Sequence, residues 1–257
     1  MFRTKLVLFA LTLALLALPG GASAAVINGT DGPDELIGTA GNDVINCGAG
    51  DDLAFGGGGD DVINCGSGED KVNGGSGNDR LSARLGSNES DVIEGGDGDD
   101  VISGRGEDTL RGGDGNDDIR VDGTGSATIE GNDGEDVLSA FDARNGADID
   151  GGSGNDELFG SLKGDRLVGG SGKDKIAANQ GNDTLRGGLG NDRMIGARGD
   201  DDMRGNGGDD RLCGGSGEDL LKGNSGDDFL DGGPGTDTVQ GNGGDNEIVK
   251  GLRCFPR

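Results

Sequence analysis

The chain has 257 residues, 60 of them glycine, with seven phenylalanines and no tryptophan or tyrosine, so it lacks the large side chains of an ordinary globular core. Its formal charge is −27, from 49 acidic against 22 basic residues, which argues against nucleic acid as a partner because phosphate binding needs clustered Lys and Arg. There is no histidine, which excludes Ser–His–Asp and Cys–His catalysis and removes the commonest zinc ligand.

Residues 1–24 read as a cleavable export signal. Arg3 and Lys5 precede the apolar run Leu6–Leu18, and Ala22-Ser23-Ala24 supplies a small-residue cleavage site. A membrane-spanning helix needs about 20 apolar residues; this run is shorter, and no later stretch could cross a bilayer. The expectation is a secreted, extracellular protein with no membrane span, whose mature chain begins at Ala25.

A nine-residue pattern starts at Gly29: Gly, Gly or a small polar residue, any residue, Gly, any residue, Asp, any residue, a large aliphatic, any residue. Residues 25–82 form an N-terminal block with six units in register from Gly29 to Ser82. Residues 83–150 form an irregular middle. Ala83-Arg84-Leu85 is an insertion, Gly104–Arg111 is one residue short, and Val121 and the pair Ala140-Phe141 are extra. Two units there, aligned on Ile129 and Ile149, carry Ala127 and Ala147 in place of the aspartate. Residues 151–249 hold eleven unbroken units, such as GGSGNDELF, GGLGNDRMI and GGSGEDLLK, and 250–257 are left as a C-terminal tail or cap.

So short a period means a solenoid whose core comes from stacked rungs. Position eight is that core, as in Leu36, Ile45, Ile63, Leu158, Leu185, Met194 and Leu221. One aliphatic flanked by outward side chains predicts a strand of about three residues, the other six forming a glycine-rich turn. A buried aliphatic contributes about 1.5–3 kcal/mol, whereas ordering each residue of a rung costs about 1–2 kcal/mol. The core loses that comparison, so the metal-free chain is expected to be disordered. If two units make one coil, Cys47 and Cys65, 18 residues apart at position one, stack at the β spacing of about 4.8 Å, within reach of a disulfide. Cys213 and Cys254 then pair by elimination. Ala127 and Ala147 would share one edge, opposite Asp117, Asp136 and Asp156, leaving one flank of the middle poor in metal. Both a weaker joint and harmless drift accommodate this.

The aspartate at position six carries the chemistry. Calcium takes six to eight oxygen ligands at about 2.3–2.6 Å, from carboxylates and carbonyls. Glycines let a turn face its carbonyls inward, and aspartate is short enough to stay beside it. Stacked carboxylates repel; a divalent ion between successive turns converts repulsion into coordination and joins binding to folding.

These units resemble the hemolysin-type calcium-binding repeat of the RTX family, GGxGxDxUx with U a large apolar residue. The resemblance covers nearly the whole chain after the export signal. It implies an all-β fold, a parallel β-roll (β-solenoid) built from tandem nonapeptide repeats, with calcium cradled by the turns. The ligands it implies are Asp34, Asp43, Asp52, Asp61, Asp70 and Asp79 in the first block, and Asp91, Asp100, Asp108, Asp117 and Asp136 in the middle. In the last block they are Asp156, Asp165, Asp174, Asp183, Asp192, Asp201, Asp210, Asp219, Asp228 and Asp237, with Asn246 as a neutral, weakening substitute in the final unit. RTX toxins and proteases hold their activities in a separate region ahead of the repeats, and these residues include none, so toxin, protease and lipase activities are not carried over.

No segment matches an EF-hand, and Gly172-Lys173 is followed by Asp174 where a phosphate-binding loop needs Ser or Thr. Periodic carboxylates read as ligands rather than as a glycosidase pair. Lys175, Arg193 and Arg211 should stack on one face, and Arg186, Arg204 and Lys222 on the other. Charge balance and solubility are the favoured reading of these rows, against a surface for anionic wall polymer. The expectation is a secreted, non-enzymatic calcium-binding protein serving as a structural or adhesive element. The alternatives are a calcium-dependent module for cell-surface or wall polysaccharide, and a non-catalytic partner of, or unrecognised, carbohydrate-active enzyme.

Overall fold

The computed structural model describes residues 23–83, 89–249 and 251. Most of the expected export signal, and Cys254 with most of the tail, lie outside the described residues. Within them the chain forms twenty-five strands in two parallel sheets, of thirteen and twelve strands, and successive strands alternate between the sheets. Two units therefore make one coil of an all-β solenoid. No described helix is long and apolar enough to cross a membrane.

The apolar residue of position eight sets the register. One sheet stacks Ile27, Ile45, Ile63, Leu81, Ile102 and Ile119 in file. The other stacks Leu36, Ala54, Val72, Ile93, Leu110 and Ile129. The slips of the middle section do not disturb this order. Across the insertion after Ser82, Leu81 still pairs with Ile102, and the short unit Gly104–Arg111 still presents Leu110 to Ile93. Near Val121 the surplus residues make a local register shift between Arg120 and Asp122. A one-residue slip would turn every inward side chain to solvent, so the turns deform and the core does not.

Most strands are longer than the sequence predicts. Leu53–Gly58, Arg166–Ser171 and Arg211–Ser216 each hold six residues, running from position seven through position three of the next unit. The reason lies in the backbone. Stacked turns keep pairing, as Gly170 with Gly188 and Ser171 with Leu189, and the Gly172 N–H donates to the Leu189 carbonyl at 2.7 Å. Buried peptide groups must find partners, and in this solenoid they find them one coil away.

Position eight is buried from Leu36 to Leu230, while Val239 is partly buried and Ile248 in the last coil is half exposed. Position one faces inward as well. Cys47 and Cys65 occupy it two units apart and form the expected disulfide, with Cα atoms 4.6 Å apart. Cys213 is also disulfide-bonded.

Candidate metal centre

The last residue of each turn is the position-six residue, so the two sets of turns place these residues in two columns, one along each edge. The first column holds Asp43, Asp61, Asp79, Asp100, Asp117, Asp136, Asp156, Asp174, Asp192, Asp210 and Asp228, and ends on Asn246. The second holds Asp34, Asp52, Asp70, Asp91 and Asp108, then Ala127 and Ala147, then Asp165, Asp183, Asp201, Asp219 and Asp237. All the expected ligand aspartates except Asp34 and Asp237 are buried.

Within a column the position-six N–H donates to Oδ1 one coil later, except at Asp108 and Ala127, where an alanine follows. Asp43 donates to Asp61 at 2.7 Å, Asp192 to Asp210 at 2.9 Å and Asp210 to Asp228 at 3.0 Å. In the other column Asp52 donates to Asp70, and Asp183 to Asp201, each at 2.9 Å. Ala147 keeps its place by donating to Asp165 at 2.7 Å. One carboxylate oxygen is thereby fixed by the fold.

The second oxygen is left over. Oδ2 is buried without a hydrogen-bond partner in Asp52, Asp61, Asp70, Asp79, Asp100, Asp117, Asp136 and Asp156, and again in Asp174, Asp183, Asp192, Asp201, Asp210, Asp219 and Asp228. An unsatisfied buried polar atom is costly, and a native fold rarely repeats one without a ligand for it. Position-one glycine makes the space. A Cβ on Gly205 would lie 2.0 Å from Asp210 Oδ2 and 2.8 Å from the Gly223 carbonyl oxygen of the next coil. A Cβ on Gly56 would meet Asp61 Oδ2 at 2.2 Å and the Gly74 carbonyl oxygen at 2.4 Å. Carboxylate and carbonyl oxygens thus crowd the same inner corner of every such turn.

Burial drives the electrostatics. It pushes the carboxyls of Asp100, Asp136, Asp201 and Asp210 up to about 7, against the lowering effect of the backbone N–H each accepts, and neighbouring carboxylates raise them further. A bound cation would reverse that preference, since opposite charge favours the ionised form. Among the described residues no three Asp, Glu, Cys or His side chains converge on one point. Carboxylates sit one above another, so an ion here must complete its shell with backbone carbonyls and water. An all-oxygen donor set without nitrogen or sulfur fits a hard cation such as calcium.

Two features escaped the sequence reading. Position five carries its own exposed ladder: Asp60 N–H donates to Asn42 Oδ1 at 3.0 Å, Asn78 to Asp60 at 3.0 Å and Asn116 to Asp99 at 2.8 Å. The abundance of Asn and Asp at that position was the available signal. In addition, Asp34 Oδ2 accepts the Thr30 N–H at 2.6 Å and Asp165 Oδ2 the Ser161 N–H at 2.7 Å, so these two carboxylates are already engaged. The basic rows form as expected from the period. Lys175, Arg193 and Arg211 are in register, Lys175 pairs with Glu157, and Arg211 lies over the Phe229 ring at 5.7 Å. On the other sheet Arg186 and Arg204 share Asp202, at 3.4 and 3.2 Å.

A family profile of the RTX calcium-binding nonapeptide repeat matches overlapping windows that together run over 19–81, 85–119 and 150–248, more than half of the chain. Its gap at 120–149 falls in the irregular middle. Among solved structures, the chain resembles the X-ray crystal structure of a hyperactive, Ca2+-dependent, beta-helical antifreeze protein from an Antarctic bacterium. That match has TM-score 0.57 and 21% identity, over 90% of this chain and 85% of that one. At that identity the likeness is one of fold. No curated protein matches the chain. Repeat, solenoid and oxygen-lined columns together define the molecule: it is a calcium-binding β-helix belonging to the RTX nonapeptide repeat family.

Proposed function

We propose that the position-six aspartates whose Oδ2 lacks a donor are calcium ligands, that calcium binding completes the fold, and that the protein is an exported, non-catalytic structural element. The observation that carries this is the row of buried Oδ2 atoms without donors, repeated turn after turn in both columns. Calcium between successive turns would satisfy these oxygens and neutralise the stacked charge, which the two files of aliphatic side chains cannot offset. Extracellular calcium modules bind at about 10⁻⁴–10⁻³ M, so such a chain would stay open inside a cell and close outside it. Export is supported by the pattern of Arg3, Lys5, Leu6–Leu18 and Ala22-Ser23-Ala24, and by disulfides, which persist in oxidising compartments.

The basic rows serve charge balance in this reading, since Lys175, Arg186 and Arg204 already face acidic partners. The test is circular dichroism of the chain from Ala25 onward during a calcium titration. A coil-like spectrum in chelator should convert cooperatively to β structure with calcium, and equal magnesium should do little because it holds its waters. A β spectrum unchanged by chelator would overturn the proposal.

A further inference from the structure

The position-six carboxylates are not all alike, and the residue at position two separates them. In most turns position two is Gly, Ala or Asn, and at Gly57 (φ 107), Ala197 (φ 83) and Asn206 (φ 79) that residue and the glycine at position four both have positive φ. Asp61, Asp201 and Asp210 in those turns keep Oδ2 free of donors. Where position two is Thr or Ser, its φ is not positive and the turn closes on the aspartate. Thr30 donates its N–H and its hydroxyl to Asp34 Oδ2, at 2.6 and 2.9 Å. Thr39 donates its N–H to Asp43 Oδ2. Ser161 donates its N–H to Asp165 Oδ2 at 2.7 Å and its hydroxyl to Oδ1 at 2.9 Å.

Two further turns reach the same end by other means. In the shortened unit the Arg105 N–H donates to Asp108 Oδ2 at 2.6 Å. In the last unit Asn246 directs its amide Nδ2 to the Gly243 carbonyl at 2.5 Å, so a donor stands where the other turns offer an acceptor. An N–H pointed at the free oxygen puts a partial positive charge in the place a cation would take. It also satisfies the atom whose lack of a partner argued for the cation.

We infer that the solenoid contains two kinds of turn, open ones that take calcium and closed ones in which a protein N–H replaces it, and that the closed turns bind no calcium. This rests on reading the open carboxylates as calcium ligands. Its consequence is a lopsided load. In one column every aspartate from Asp61 to Asp228 is open. In the other, Asp108, Ala127, Ala147 and Asp165 succeed one another with no open carboxylate, so the middle of the rod carries calcium on one edge only. The first turn of each column, at Asp34 and Asp43, is closed too, and the Cys47–Cys65 bond follows directly. The leading coil is therefore built to hold its shape without metal.

Native mass spectrometry of the chain from Ala25 onward at saturating calcium tests this, comparing the parent with Asp192→Asn and Asp165→Asn, substitutions that preserve shape. Asp192→Asn should carry at least one ion fewer, and Asp165→Asn should carry the parent's number. A thermal readout accompanies the count. Ser161→Ala should lower Tm equally at low and saturating calcium, whereas the loss for Asp192→Asn should grow with calcium, because only a binding site contributes stability that rises with ligand concentration. An ion lost from Asp165→Asn, with the parent well loaded, overturns the two-turn assignment alone. A parent that takes up no calcium overturns the ligand reading and this inference together.

Discussion

Replacing Gly205 by alanine adds one methyl group to the inner corner of a turn in the C-terminal block. The new Cβ would stand 2.0 Å from Asp210 Oδ2 and 2.8 Å from the Gly223 carbonyl oxygen, where carbon–oxygen contacts settle near about 3.3 Å. The carbonyl belongs to the backbone of the next coil, so the carboxylate must retreat by about 1.3 Å to reach that spacing. Its Oδ1 accepts the Asp192 N–H at 2.9 Å, and such a retreat breaks that bond. Overpacking costs about 1–3 kcal/mol, and a buried N–H left unpaired about as much again. Together they amount to about 2–6 kcal/mol, which for a chain of this size lowers Tm by about 4–24 °C. Gly207→Ala is the matched control two residues on, where the nearest atom to a new Cβ is Leu189 Cδ2 at 3.5 Å and the cost should stay within about 0.5 kcal/mol. Thermal melts followed by circular dichroism at saturating calcium compare the two, and the calcium midpoint of Gly205→Ala should also rise. Equal melts for both variants would show that the glycine does not make room for the carboxylate.

Acidity should act in opposite directions with and without the ion. Burial raises the folded-state carboxyls of Asp100, Asp136, Asp183 and Asp201 to about 7, above the ordinary value near 3.9, so their protonated forms favour the coil at low pH and that support is lost as pH rises through 7. Chelator-treated protein should therefore gain β structure on acidification from pH 7.5 to pH 4.5, while the calcium midpoint should climb as pH falls through 7; less β structure at pH 4.5 would contradict the sign. The Cys47–Cys65 bond closes a segment with a sequence separation of 18, and its loss through Cys47→Ser with Cys65→Ser should cost about 3 kcal/mol. Amide exchange should quicken first around Val44–Asn46 and Val62–Cys65, the strands beside the bond, and unaltered exchange there would show that the bond is idle.

The periodic part of the molecule was legible because one residue type does one job at each position. Leu185, Met203 and Leu221 announce a core file simply by recurring, and two units per coil follow once Cys47 and Cys65 stack. The columns of aspartate were legible for the same reason. Strand length was not, because pairing between Gly170 and Gly188 depends on backbone groups that carry no sequence signature. The division between open and closed turns was in view, at Thr30, Thr39 and Ser161, yet a position-by-position pattern treats Ser and Gly at position two as equivalent small residues. Only the direction of an N–H distinguishes them.

The carboxylate ladder points one way. In every pair the donor is the earlier coil and the acceptor the later, as from Asp174 to Asp192 and from Asp192 to Asp210. A rod halted partway thus presents an unanswered N–H on its C-terminal face, and each arriving coil supplies the oxygen its predecessor lacks. The position-five ladder runs the opposite way, from Asp60 back to Asn42 and from Asn78 back to Asp60, so successive coils interlock in both directions. In the last described coil Asn246 takes the acceptor's part, receiving the Asp228 N–H at 2.9 Å while its own amide turns back to the Gly243 carbonyl.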